Sequence, residues 1–358
     1  MPDKGEVQKE LNNTVFHGVD VDGILKIKGQ KQYGVSVAVT EGDSPETYCS
    51  GSGRFGQDLP VDPDMLFQAG SVSKPVFAAT LLRFVDKGVI DLDADLSGVL
   101  SDHIRIPMTF SALLSHTAGF NLHGFPGYPA TARRLSLDDV LCGRGNTPKL
   151  RRIRPYGKQY RYSGGGIVLA ELAFTRMTGL GLQEAFVREI AGPLGLKNSG
   201  YFQPLGEDRI GNAAFGGKLG MKEDPEHEYH YYPETSAAGF WATPSELNVI
   251  GIALSRSYRE GGLLKKDTAE RMMSPVKDNC GLCIFRGDEK RPELACHGGW
   301  NEGFLTDWRL SLNEDLCVSV MINRSDNPTA KASSKVGSML YDTSMFNKDM
   351  LGAKGAEE

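Results

Sequence analysis

Strand-like segments occupy both ends of this chain, and helix-like segments fill the middle. That order restricts the fold more than any single motif does. Residues 33–41, "YGVSVAVTE", and 46–56, "ETYCSGSGRFG", alternate like two meander strands joined by the turn-forming "GDSP". From Ser71 the period changes: Phe77, Leu81, Leu82 and Val85 recur at spacings of three and four, the mark of one apolar helix face. "GIVLAELAFTRMTG" and "LQEAFVREIAGPLGL" read as amphipathic helices ended by glycine. "CGLCIF", "ELACHGG", "GFLTDWRLSL" and "LCVSVMIN" return to strands, and a last helix is expected over 329–343. An antiparallel sheet assembled from both ends, flanked by helices and with a helical insert, satisfies this order. The expected class is α/β in the α+β sense. Residues 1–70 and 246–358 supply the sheet domain, and 71–245 supply a mainly helical domain. No internal repeat is present.

A chain of 358 residues buries a core large enough to need no disulfide scaffold. Its six cysteines include one C-x-x-C, Cys280 and Cys283, and buried free thiols are expected there. The net charge of −5 gives no basic excess for nucleic acid, and no apolar run reaches membrane-spanning length. The polar N-terminus lacks the apolar core of a signal peptide. A cytoplasmic location is expected, and a mature secreted form fits the same sequence. Oligomeric state is not readable here.

The stretch "FQAGSVSKPVFAATLLRFVDKGVIDL" places Ser71 and Lys74 one helical turn apart at a helix mouth. Positions i and i+3 share a helix face. Unsatisfied N–H groups there stabilise a forming alkoxide. A desolvated lysine loses its ammonium preference and accepts a proton near neutral pH. Together they make a workable activated nucleophile. It needs a third proton-handling group and an oxyanion site. "QYRYSGGG", with Tyr160, Tyr162 and Ser163, and "ACHGGW", with His297, Gly298 and Gly299, are the segments able to supply them.

In order and rough spacing, Ser71-x-x-Lys74, Tyr162-Ser163-Gly164 and His297-Gly298-Gly299 resemble the serine β-lactamase and penicillin-binding-protein superfamily. The nearer likeness is to its class C branch, with the family VIII carboxylesterases, D-aminopeptidases and DD-peptidases. "LLSHTAGF", "AAGFWATPSEL" and "FLTDWRLSL" are similar too, so the resemblance runs from about residue 30 to about 345. It implies the β-lactamase/DD-peptidase fold, with the active site in the cleft between the two domains. It implies Ser71 as the acylated nucleophile, with Lys74 and Tyr162 sharing the proton traffic. Which of the two is the base stays open. It implies an oxyanion hole from the backbone N–H groups of Ser71 and Trp300, with His297 on the strand edging the cleft. No metal or organic cofactor is implied.

Two departures bear on substrate. The second motif is usually Y-x-N, and Gly164 stands third here. The third is often K-T-G, and His297-Gly298-Gly299 stands instead. Both remove contacts to a carboxylated lactam or peptide and leave the nucleophile intact. The expected partner is a small-molecule ester, amide or lactam, with a carboxylesterase favoured for esters or lactones. The alternatives are a D-amino-acid peptidase or amidase, a DD-peptidase, a weak β-lactamase, or a sensor that acylates without turnover.

Other candidates are weaker. Phe120, Phe125 and Tyr128, with Phe240 and Trp241, either wall the acyl or alcohol group or pack the core. His116 reads as a satisfied histidine at a helix end. "SDN" at 325–327 falls too late for a second motif and reads as a polar turn. His227 and His230, among Glu223, Asp224, Glu226 and Glu228, lack the zinc-protease spacing and read as an acidic loop. The basic run 149–161 reads as a solvated face that leads into Tyr162.

Overall fold

The computed structural model describes residues 15–26, 33–54, 57–104, 106–216 and 229–355. The expected acidic loop at 223–228 lies outside them. Strands from both ends of the chain form one six-stranded sheet. They are β1 (Val35–Glu41), β2 (Ser44–Ser50), β3 (Phe285–Arg286), β4 (Leu294–Asn301), β5 (Phe304–Ser311) and β6 (Leu316–Ile322). The order is β2-β1-β6-β5-β4-β3, antiparallel throughout. The N-terminal hairpin thus joins the C-terminal meander by pairing β1 with β6, Val37 opposite Val320.

The central strands are covered on both faces, and their residue parity shows it. Val35, Val37 and Val39 share a cluster with Leu316, Val318, Val320 and Ile322. Trp308, Leu310, Cys317 and Met321 belong to the larger core on the other side. Four helices matter below: α1 (Ser73–Asp86), α2 (Gly164–Thr178), α3 (Pro244–Glu260) and α4 (Asn327–Gly355). Val336, Leu340 and Tyr341 of α4 cover the valine face, and α3 covers the other.

Beneath α3, the buried Asn248 side chain spans two strands. Its Nδ2 donates to the Ala38 carbonyl (3.0 Å), Thr40 Oγ1 (3.0 Å) and the Cys317 carbonyl (2.9 Å), and Oδ1 accepts from Ser319 Oγ (2.5 Å). Replacing it strips buried polar groups of partners. Asn248→Ala is expected to cost about 2–4 kcal/mol. The check is a lowered urea midpoint at unchanged slope.

Two local expectations change. The β1–β2 turn is only Gly42-Asp43, with Gly42 at φ +66°, and Ser44 and Pro45 already lie in β2. Proline fits there because β2 is an edge strand. "CGLCIF" is a strand only at its end, from Phe285. Asp278, Asn279 and Cys283 have φ of 46°, 58° and 59°, which no extended ladder accommodates. Cys280 and Cys283 are buried free thiols in that loop. "SDN" is a polar turn as expected: Asp326 Oδ1 accepts from the Thr329 N–H at the start of α4 (2.8 Å).

Candidate active site

The chain reaches Ser71 through a tight backbone crossing. Phe67–Gln68 pairs with Trp241–Ala242, and a 3₁₀ turn at Gly70–Val72 then feeds α1. Gly70 has φ +54°, and a Cβ on it would lie 2.7 Å from the Trp300 nitrogen. From the other side, a Cβ on Gly299 would lie 2.0 Å from the Ala69 carbonyl oxygen. Both glycines are required because two backbones touch here. β3 pairs only with Ala295 and Cys296, so this crossing meets the part of β4 that β3 leaves uncovered. Ser73 Oγ donates to the Gly70 carbonyl (2.5 Å) and accepts from the Phe240 N–H (2.9 Å). Asn301 Nδ2 donates to Gln68 Oε1 (2.7 Å) and to the Ala238 carbonyl (2.9 Å).

Lys74 Nζ donates to Ser71 Oγ at 2.9 Å and to the Ala237 carbonyl at 2.7 Å. Its side chain is 1% exposed, and no carboxylate among the described residues pairs with it. Loss of solvent dominates and pushes its pKa down to about 7. A neutral amine is therefore accessible at physiological pH.

Tyr162 stands directly before the N-cap of α2. There Ser163 Oγ accepts from the Gly166 N–H (3.1 Å) and donates to the Leu122 carbonyl (2.8 Å). Lys74 Nζ lies 5.1 Å from the centre of the Tyr162 ring, and the phenol engages the Ser71 hydroxyl. Burial raises the phenol pKa well above its ordinary value, so Tyr162 stays protonated. Ser71, Lys74 and Tyr162 thus cluster together.

Three histidine rings surround that tyrosine: His116 at 4.4 Å, His123 at 4.9 Å and His297 at 6.1 Å between centroids. Burial first, and the Lys74 charge next, lower the pKa of each, that of His297 to about 3. All three are neutral at pH 7. The Ser163 N–H donates to His116 Nδ1 (3.2 Å), which puts that ring's proton on Nε2. His297 Nδ1 sits 2.7 Å from the Gly298 carbonyl, which puts its proton on Nδ1. The His116 ring packs against Tyr162, and the expected satisfaction holds at Nδ1 only: Nε2 has no hydrogen-bond partner among the described residues.

Ser71 and Tyr162 open into a cavity of about 600 Å³. His297, Gly298, Gly299 and Trp300 line it, as expected of that strand. Tyr160, Phe285 and His123 line it as well. Gly164, Phe120, Phe125 and Trp241 do not line it. Phe120 and Trp241 are 2% and 0% exposed and belong to the core. Phe125 lies over Gly164, where an added Cβ would sit 2.7 Å from its ring and 3.0 Å from the His123 carbonyl oxygen. The space of the missing amide is therefore filled, not empty. The basic run 149–161 contributes only Tyr160 to the cavity; Arg161 Nε is turned onto the Phe120 carbonyl (3.0 Å).

A sheet built from both chain ends, with a serine-bearing helix entered against its β4 edge, is the β-lactamase/DD-peptidase fold. The chain belongs to the Beta-lactamase family, whose model matches residues 16–336. It is 28% identical to unguisins hydrolase ungD' of Aspergillus campestris over 46% of this chain and 33% of that protein. It is 30% identical to esterase EstB of Burkholderia gladioli over 40% of each. The chain thus spans well under two thirds of either relative. The solved structure of D-amino acid amidase from Ochrobactrum anthropi, with L-phenylalanine amide, matches at TM-score 0.73 and 19% identity. That match covers 95% of this chain and 99% of the amidase. No described helix is long and apolar enough to cross a membrane.

Proposed function

We propose that this chain is a serine hydrolase that forms an acyl-enzyme at Ser71 and acts as a carboxylesterase on small esters or lactones. One observation carries the reading: a buried lysine, its pKa pushed to about 7, lies 2.9 Å from a serine hydroxyl at a cavity. Neutral Lys74 takes the Ser71 proton as Oγ attacks the ester carbonyl. The backbone N–H groups of Ser71 and Trp300 hold the oxyanion. Tyr162, kept protonated by burial, gives its proton to the leaving alkoxide and is reprotonated from Lys74. Water then attacks the acyl-enzyme and its proton returns by the same route. Of the two candidate bases, the buried phenol is the poorer and Lys74 the better. In this reading the cleft separates the sheet domain, 1–70 and 246–358, from the helical domain, 71–245.

Esters are favoured over lactams because the substrate-binding amide and lysine are absent. Gly164 is covered by Phe125, His297 is neutral, and no lysine or arginine among the described residues lines the cavity. The test is intact-mass spectrometry after a fluorophosphonate probe, with peptide mapping. One probe equivalent on Ser71 is expected. A label elsewhere removes the proposed nucleophile. Short esters are expected to turn over faster than nitrocefin or D-alanine p-nitroanilide; nitrocefin turnover rivalling the best ester reverses that order.

A further inference from the structure

The cavity does not end at Ser71. It continues over the sheet face that α4 covers, where Trp300, Leu305, Asp307, Ala330, Ser333 and Ser334 line it. The register explains this. Gly298 pairs with Asp307 and Trp300 with Leu305, so these four positions share one face of the sheet. Ala330, Ser333 and Ser334, spaced three and four apart, share one face of α4. Gly298 is the doorway between the two parts: a Cβ there would meet only the Thr306 carbonyl oxygen, at 3.9 Å.

The walls of this inner lobe join three apolar side chains, Trp300, Leu305 and Ala330, to two serines and one ion-paired carboxylate. Trp300 is 47% exposed at its mouth. Its single carboxylate, Asp307, accepts from Arg309 Nε (2.5 Å) and NH2 (3.1 Å). Ser333 Oγ has no hydrogen-bond partner among the described residues.

We infer that this lobe holds the alcohol part of the ester, and that the preferred alcohol is neutral and several carbons long. The assignment rests on the reading of Ser71 as nucleophile. Along β4 the doorway lies about 7 Å from Trp300, toward His297. The His297 ring lies 6.1 Å from the Tyr162 ring. A leaving oxygen must face Tyr162 to receive its proton, so the group attached to that oxygen runs through the doorway. The acyl chain leaves the carbonyl carbon on the other side. A carboxylate at the end of the alcohol would meet Asp307, with Arg309 already engaged.

The experiment varies one end of the ester at a time. At fixed acetyl, kcat/KM is expected to be at least about tenfold higher for hexyl acetate than for ethyl acetate, as apolar burial of added methylenes requires. For 6-acetoxyhexanoate it falls back to the ethyl level or below. Ala330→Leu narrows the lobe and brings the hexyl-to-ethyl ratio near one. The ratio of ethyl hexanoate to ethyl acetate is unchanged. Gly298→Val, whose Cβ would meet no backbone nearer than the Thr306 carbonyl oxygen at 3.9 Å, closes the doorway and gives the same ratios should the first variant fold poorly. A flat alcohol series, a preference for the carboxylated alcohol, or an acyl ratio that moves instead overturns the assignment while leaving the esterase reading intact. Absence of turnover on every ester overturns both.

Discussion

Replacing Lys74 with methionine is expected to lower kcat/KM for a short ester by about 10³- to 10⁴-fold, nearly as deep a loss as Ser71→Ala, because the two act as a unit. Methionine, one atom shorter, suits a site that is already desolvated, and the fold is expected to be retained. Lys74→Arg is expected to be equally inactive, since a guanidinium does not give up its proton. The native enzyme carries a second signature. In the proposed mechanism its active form is the neutral amine, whose fraction grows as pH rises through the folded pKa of about 7. Below that pH, kcat/KM falls about tenfold per unit; above it, the profile levels. The rising limb is absent in the methionine variant. A methionine variant with native rates, or a native profile flat between pH 5 and 8, removes Lys74 as the base.

Gly299→Ala is expected to cost about 10²- to 10³-fold in kcat/KM and about 1–3 kcal/mol of stability. The added methyl would sit 2.0 Å from the Ala69 carbonyl oxygen and 3.2 Å from Thr306 Cβ. Neither neighbour yields easily. The Ala69 N–H is bonded to the Phe240 carbonyl (2.8 Å), and β4 is held along its length by β5. The strand and the Ser71 turn must part, and the proposed oxyanion donors part with them. Gly298→Ala, one residue away, meets nothing closer than 3.9 Å and serves as the control for stability. Urea midpoints and short-ester kinetics check both. Full activity at an unchanged midpoint in Gly299→Ala means the crossing does not position the donors.

Much of this was legible in the residues. Alternation at both chain ends located the sheet strands, because one residue of parity decides which core each side chain enters. Ser71 and Lys74 were readable because a helix places them by local spacing alone. Tyr162 and the glycine strand needed the ordered resemblance, since nothing local says which distant loop closes a cleft. His123, Phe285 and the serines of α4 carry no such mark; they reach the cavity only through tertiary packing. The aromatic residues failed differently. Phe120 and Trp241 sit near the motifs, but proximity in sequence does not tell a cavity wall from a core, and 2% and 0% exposure puts them in the core. "CGLCIF" looked extended because composition does not reveal positive φ at Cys283.

The ring of Phe125 over Gly164 has a consequence for how this cleft can change over generations. A single exchange to asparagine at 164 would drive a side chain into that ring and against the His123 carbonyl. Position 125 must therefore become small before, or together with, any gain of an amide at 164. The first of those steps alone leaves a hole beside Gly164. A lineage seeking peptide or lactam recognition from this ancestor faces a valley two mutations wide.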